Sequence, residues 1–252
     1  MLFTGRPFSE RMQIAARLGY RAIEFWNWRD RDVGLIAQTA EREGLTIAAM
    51  SGNRTHALID PADRAGLLEE MKQVFEVAGR LNCLYVMMLS DVLEADGSAA
   101  PARTLTAEEK LESIVDGLRS MAGQAEAAGV TLLLEPLNTV LDHCRCFLDS
   151  SAVGVEVVRR VASPRVKLLY DIYHMSMMGE DVVKSIEQNL EWIGYIHIAD
   201  LPGRHQPGSG TIDFSAINHL LKRVGYSGFV GLEYSAFGPE EPAAQVPLEI
   251  FG

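Results

Sequence analysis

A parallel α/β barrel is the fold class this sequence predicts. Short apolar runs alternate with helical stripes, the alternation continues without a break in composition, and 252 residues is the usual size of one such barrel. The runs are AIEF (22–25), TIAAM (46–50), LYVMML (84–89), TLLLE (131–135), VKLLYD (166–171), IGYIHIAD (193–200) and FVGLEY (229–234). Most are continuously apolar, as parallel strands covered on both faces must be. Between them, PADRAGLLEEMKQVFEVAGRL sets Leu67, Leu68, Met71, Val74, Phe75, Ala78 and Leu81 at helical steps after an Asp60, Pro61 start. Similar stripes fill SERMQIAARLG, VGLIAQTAEREG, LTAEEKLESIVDGLRSMAGQAEAAG, SAVGVEVVRRV and DFSAINHLLKRVG, and Gly19, Gly44, Gly129 and Gly225 stand where helices can be capped.

Seven strands are explicit, and Met1, Leu2 and Phe3 offer an eighth if they are the tail of a truncated first strand. The expectation is a single (β/α)8 TIM barrel domain over residues 1–252. After the last run, AFGPEEPAAQVPLEIFG carries Pro239, Pro242 and Pro247, so a weak or absent eighth helix is expected. Both sides of the seam between the last and first strands then look thin, and a second copy in a homo-oligomer is expected to cover it.

Composition narrows the function. With 34 acidic against 23 basic residues the net charge is -11, which opposes nucleic acid and anionic membrane as partners. Three cysteines make an odd count, Cys144 and Cys146 are one residue apart, and no disulfide framework follows; a cytoplasmic setting is expected. No basic segment followed by an apolar core opens the chain, and no run approaches the ~20 apolar residues that span a bilayer.

Acids and a histidine recur at the strand ends. Glu135 follows TLLL, Asp171 follows KLLY, His197 lies in IGYIHIAD and Glu233 in FVGLEY, at intervals of 36, 26 and 36 residues, each about one strand and helix. Singly, each reads as a helix cap or half of an ion pair. Together at one barrel mouth, three carboxylates and an imidazole call for a cation between them, and oxygen with nitrogen donors suits Mn2+, Mg2+, Co2+ or Zn2+.

The motifs LLLEPLN, YDIYHM, HIADLPGRHQPGSGTIDF and GLEY resemble those of the hydroxypyruvate isomerase family, in the xylose-isomerase-like superfamily of sugar isomerases and epimerases. The resemblance runs from residue 22 to 234. It implies a metal held by Glu135, Asp171, His197 and Glu233, with Glu135 and Glu233 also transferring protons. It places His174 against a substrate oxygen and assigns substrate binding to Arg204. The implied activity interconverts a hydroxy-keto acid and a hydroxy-aldehyde acid, of the hydroxypyruvate and tartronate semialdehyde type. Epimerisation of a keto sugar, served by the same two glutamates, is the alternative.

Such an isomerisation needs a base, an acid and a group to hold the developing oxyanion. The carboxylate of a keto acid also needs a cation, for which Arg204 is the first candidate and Arg54 in SGNRTH the second. His56, in the same loop as Arg54, is a further candidate for substrate contact. Glu24 in AIEFW either lines the mouth or satisfies backbone or arginine groups, and Trp26 and Trp28 either wall the site or pack against their loop. HCRC at 143–146 lacks the second ligand pair of a structural zinc site. PGSG at 207–210 is a turn that lets its loop fold over the site. A phosphodiesterase of the endonuclease IV type needs several metals and a basic face; six histidines and a charge of -11 argue against it. A non-catalytic sugar-binding or scaffold barrel would lack the acid pair or one ligand, and all four positions are present.

Overall fold

The computed structural model describes all 252 residues. Seven parallel strands follow one another around a nearly closed barrel: β1 (Ala22–Phe25), β2 (Thr46–Ser51), β3 (Tyr85–Met88), β4 (Thr131–Leu134), β5 (Val166–Asp171), β6 (Ile193–Ile198) and β7 (Val230–Leu232). Each pairs only with its chain neighbours, so β1 and β7 face each other unpaired. The helices are α1 (Phe8–Leu18), α2 (Val33–Glu43), α3 (Arg64–Leu81), α4 (Ala107–Ala127), α5 (Ser151–Val161), α6 (Ile172–Met177), α7 (Val182–Asn189), α8 (Phe214–Arg223) and α9 (Glu240–Phe251). None is long and apolar enough to cross a membrane.

Two apolar layers result. Ala49, Met87, Leu133, Leu169 and Tyr195 point inward and plug the barrel, while a cluster of 34 buried residues lies between the first strands and their helices. Caps set where the helices begin and end. Asp32, Thr106, Asp181 and Asp213 each accept a backbone N–H at a helix start, and Gly19 and Gly44 end α1 and α2 in the left-handed conformation.

Two expectations about the ends of the chain change. Met1–Phe3 form no strand; Phe3 instead packs on Ile14 and Ala244. A cavity of about 460 Å³ remains at the seam, lined by parts of β1 and β7 and by α1 and α9. The final helix, expected to be weak or absent, is present over 12 residues. Pro242 falls in its first turn, where no intrahelical donor is needed, and Pro247 orphans only the Ala243 carbonyl. That carbonyl accepts a hydrogen bond from the Tyr234 hydroxyl at 2.8 Å, and the next one, Ala244, accepts from Tyr20. Tertiary hydroxyls thus satisfy what the proline rule counts as lost.

Candidate active site

Strand register builds the site. Asp171 on β5 pairs with His197 on β6, and His197 with Gly231 on β7, so the two side chains are neighbours beside a position that has none. Glu135 and Glu233 follow directly after β4 and β7, held by backbone hydrogen bonds to the Met88 and Ile198 carbonyls. One ligand atom from each of Glu135, Asp171, His197 and Glu233 lies within 4.8 Å of all the others. From His197 Nδ1 the separations are 3.0 Å to Glu233, 3.8 Å to Glu135 and 4.0 Å to Asp171, and all four residues are buried.

The YDIYHM segment explains itself locally. Asp171 caps α6, its Oδ1 accepting the His174 backbone N–H at 3.0 Å. Its other oxygen, Oδ2, is buried with no hydrogen-bond partner and faces the cluster. The cap and the ligand readings of an aspartate at a strand end are both satisfied, one oxygen each. Capping also fixes the spacing, since three residues on is where the capped N–H must stand. His174 therefore arrives beside the cluster, its Nε2 3.7 Å from Asp171 Oδ2.

Burial and neighbouring charge shift each of the four groups. Burial, and then the Glu233 charge, push Asp171 up to about 8, and the same two causes raise Glu135 against the pull of His197. Burial would raise Glu233 too, but Arg204 and His197 hold it well below the usual carboxylate range. Burial would lower His197, yet Glu24, Glu135 and Glu233 reverse this and raise it well above an ordinary imidazole. The donor set fits a divalent ion: three hard carboxylates, one imidazole and an orphaned carboxylate oxygen aimed at their common centre.

His174 and Arg204 close one side. Arg204 Nη2 lies 2.9 Å from Glu233 Oε1, 3.9 Å from Asp171 Oδ2 and 3.2 Å from His174 Nε2, and its guanidinium covers the Tyr173 ring at 4.9 Å. On its other nitrogen, His174 meets Asn138 Nδ2 at 2.7 Å. The network fixes the Asn138 amide, because its Oδ1 accepts from the Leu141 and Asp142 backbones while Nδ2 also donates to Asp142. His174 Nδ1 is thereby assigned as acceptor, and the ring proton sits on Nε2. Burial and the Arg204 charge keep the ring neutral, its pKa well below 6.5. Two donors then meet at Arg204 and His174 Nε2, 3.2 Å apart, and an oxygen acceptor within reach of both would satisfy them.

Arg54 and His56 are not brought to the cluster. Glu70 on α3 accepts the Arg54 and Thr55 backbone N–H groups and contacts His56 Nδ1 at 3.2 Å, while the His56 ring packs over Gly66. The Arg54 side chain is exposed. Trp28 packs on the core under Arg29, and Trp26 is half-exposed. In HCRC, Cys144 is exposed, Cys146 buried and His143 bonded to the Gly97 carbonyl, so no metal cluster forms there.

Asn138, Asp200 and the role of Glu24 escape sequence reasoning. Asp200, fully buried, gathers the backbone N–H groups of Leu201, Gly208, Gly210 and Ile212 on its two oxygens, folding the loop that carries Arg204. The PGSG turn serves this knot: a Cβ on Gly210 would lie 1.8 Å from the Leu201 carbonyl oxygen. Glu24 Oε2 stands 3.0 Å from His197 Nε2.

Residues 12–251 match the model of the xylose isomerase-like TIM barrel family, and the chain belongs to that family. Within it the chain is 27% identical over 242 residues to the 2-oxo-tetronate isomerase of Cupriavidus necator, covering 93% of this chain and 89% of that protein. It is likewise 27% identical over 246 residues to the hydroxypyruvate isomerase of Escherichia coli K12, covering 93% and 90%. A solved structure from Brucella melitensis, described as an AP endonuclease of family 2, superposes with a TM-score of 0.88 at 25% identity over 98% of this chain and 95% of that one. The chain is an isomerase of this superfamily, of sugar-isomerase type.

Proposed function

We propose that the substrate is a short hydroxy-keto acid, interconverted with its hydroxy-aldehyde isomer as hydroxypyruvate is with tartronate semialdehyde. The observation that carries this reading is Arg204, a largely buried guanidinium beside the carboxyl cluster with a donor-only partner in His174. A carboxylate is the ligand such a fork accepts in two parallel hydrogen bonds. The relatives' names, hydroxypyruvate isomerase and 2-oxo-tetronate isomerase, agree with an acid substrate.

Glu135 and Glu233 flank the site and serve as base and acid. One removes a proton from the hydroxyl-bearing carbon next to the carbonyl. The electron pair left behind forms the carbon–carbon double bond of an enediolate as the carbonyl bond opens onto its oxygen. A proton returns to the former carbonyl carbon, and the remaining hydroxyl proton passes between the two oxygens, so the product is an isomer with nothing gained or lost. His174 donates its Nε2 proton toward the oxygen where charge develops, and Arg204 holds the carboxylate. Glu135, Asp171, His197 and Glu233 would hold a divalent ion, Mn2+, Mg2+, Co2+ or Zn2+, which supplies Lewis-acid polarisation of substrate oxygens when bound. Burial excludes water from the enediolate.

Proton NMR in D2O, with hydroxypyruvate, tartronate semialdehyde, 2-oxo-tetronate and a panel of keto sugars, tests the substrate. Turnover of the acids over the sugars is expected. Deuterium entry at carbon 3 of a keto sugar with no turnover of the acids would install 3-epimerisation instead. The unpaired seam supports a homo-oligomer, for which light scattering at micromolar concentration should exceed the mass of one chain. Three cysteines without a disulfide support a cytoplasmic setting.

A further inference from the structure

One part-buried contact of the cluster does no work in the chemistry above: the one between His197 Nε2 and Glu24, made across 173 residues of sequence. We infer that Glu24 is a positioning residue that keeps the His197 ring proton on Nε2 and so presents the Nδ1 lone pair to the divalent ion. The inference rests on the reading of Glu135, Asp171, His197 and Glu233 as ligands. A ligating imidazole carries one proton, and the nitrogen that carries it cannot bind the ion; the proton that the ion-free cluster holds on Nδ1 must leave as the ion binds. His197 Nδ1 faces three carboxylates that would each accept that proton. An acceptor at Nε2 is what decides the tautomer in favour of ligation, and it also makes Nδ1 more basic.

Three further features are shaped around this pair. The register of β1 against β2 slips between Ile23 and Glu24, at the residue that reaches across the barrel. Gly231, the strand partner of His197, leaves the room: a Cβ there would lie 2.7 Å from both Glu24 Oε1 and His197 Cδ2. The Tyr195 ring packs edge-to-face on the imidazole, at 5.4 Å and 88°. A carboxylate needed only for its own solvation has no use for a bare glycine opposite.

Mn2+ titration of the stripped full-length protein by calorimetry tests the role, with thermal unfolding of the ion-free protein alongside. Glu24→Ala should weaken Mn2+ binding about 10- to 100-fold. Glu24→Gln, which keeps an oxygen acceptor for Nε2–H, should recover a large part of that loss. Gly231→Ala should weaken binding as Glu24→Ala does, by pushing the pair apart. A Glu24→Ala protein that melts earlier but binds Mn2+ like the wild type would overturn the role and leave only a structural one. Equal losses in the Ala and Gln variants would overturn the acceptor argument. A wild type that binds no Mn2+ would remove the ligand reading itself, and the role with it.

Discussion

Two loops at the barrel mouth carry an arginine, and each is tied by a buried carboxylate that gathers backbone N–H groups. Asp200 does this for the loop after β6, and Glu70 for the loop after β2. Their outcomes are opposite. The Asp200 knot turns Arg204 inward, where Glu233 and Asp171 give it counter-charge and Tyr173 a face to lie on. Glu70 also pairs with Arg29 and takes His56, leaving the Arg54 side chain at the surface. Residue type and loop position are shared, so neither tells which arginine turns inward. Buried counter-charge does.

The first way to break this contrast is to remove each guanidinium. Arg204→Met should lower kcat/KM for a keto acid by about ten- to a hundredfold, the worth of a charged hydrogen bond lost at roughly 1.5–3 kcal/mol. Arg54→Met should leave it unchanged in the same assay, and an equal loss from both would erase the distinction. Next in size is the knot itself. Asp200→Ala strands four backbone N–H groups and should cost about 1–3 kcal/mol in urea unfolding, with KM for a keto acid rising more than kcat falls as Arg204 loses its anchor.

Away from both loops, Tyr234→Phe strands the Ala243 carbonyl beside Pro247 and should cost about 1 kcal/mol while turnover persists. The smallest effect sharpens the Glu70 side. Burial would raise its pKa, but hydrogen bonds from the Arg54 and Thr55 backbone and from His56 bring it below the ordinary carboxylate value. A depressed folded pKa gives stability that is full above the unfolded value of about 4.3 and is lost as pH falls through it toward the folded value. Urea midpoints should therefore fall between pH 6 and pH 3 more steeply in the wild type than in Glu70→Gln.

Much of the fold is legible in the sequence because its signals are local: continuous apolar runs, helical stripes and capping glycines. The four residues of the cluster were legible for the same reason, each being a polar residue in or at the end of an apolar run. The last helix was hidden because the proline rule counts a lost hydrogen bond, and Tyr234, from another element, replaces it at Ala243. Glu24 was visible as a strand acid but not as the partner of His197, since that contact depends on strand register and on a glycine. The fates of Arg54 and His56 turn on Glu70, which in sequence is one more acid on an amphipathic helix.

Deuterium wash-in at the reacting carbon in D2O, followed by proton NMR for Glu135→Gln and Glu233→Gln beside the wild type, is the most direct test of the proposed proton-transfer pair. Each variant should stay folded and slow exchange and turnover together by about 10²- to 10⁴-fold. Exchange at wild-type rate in either variant would contradict the assignment.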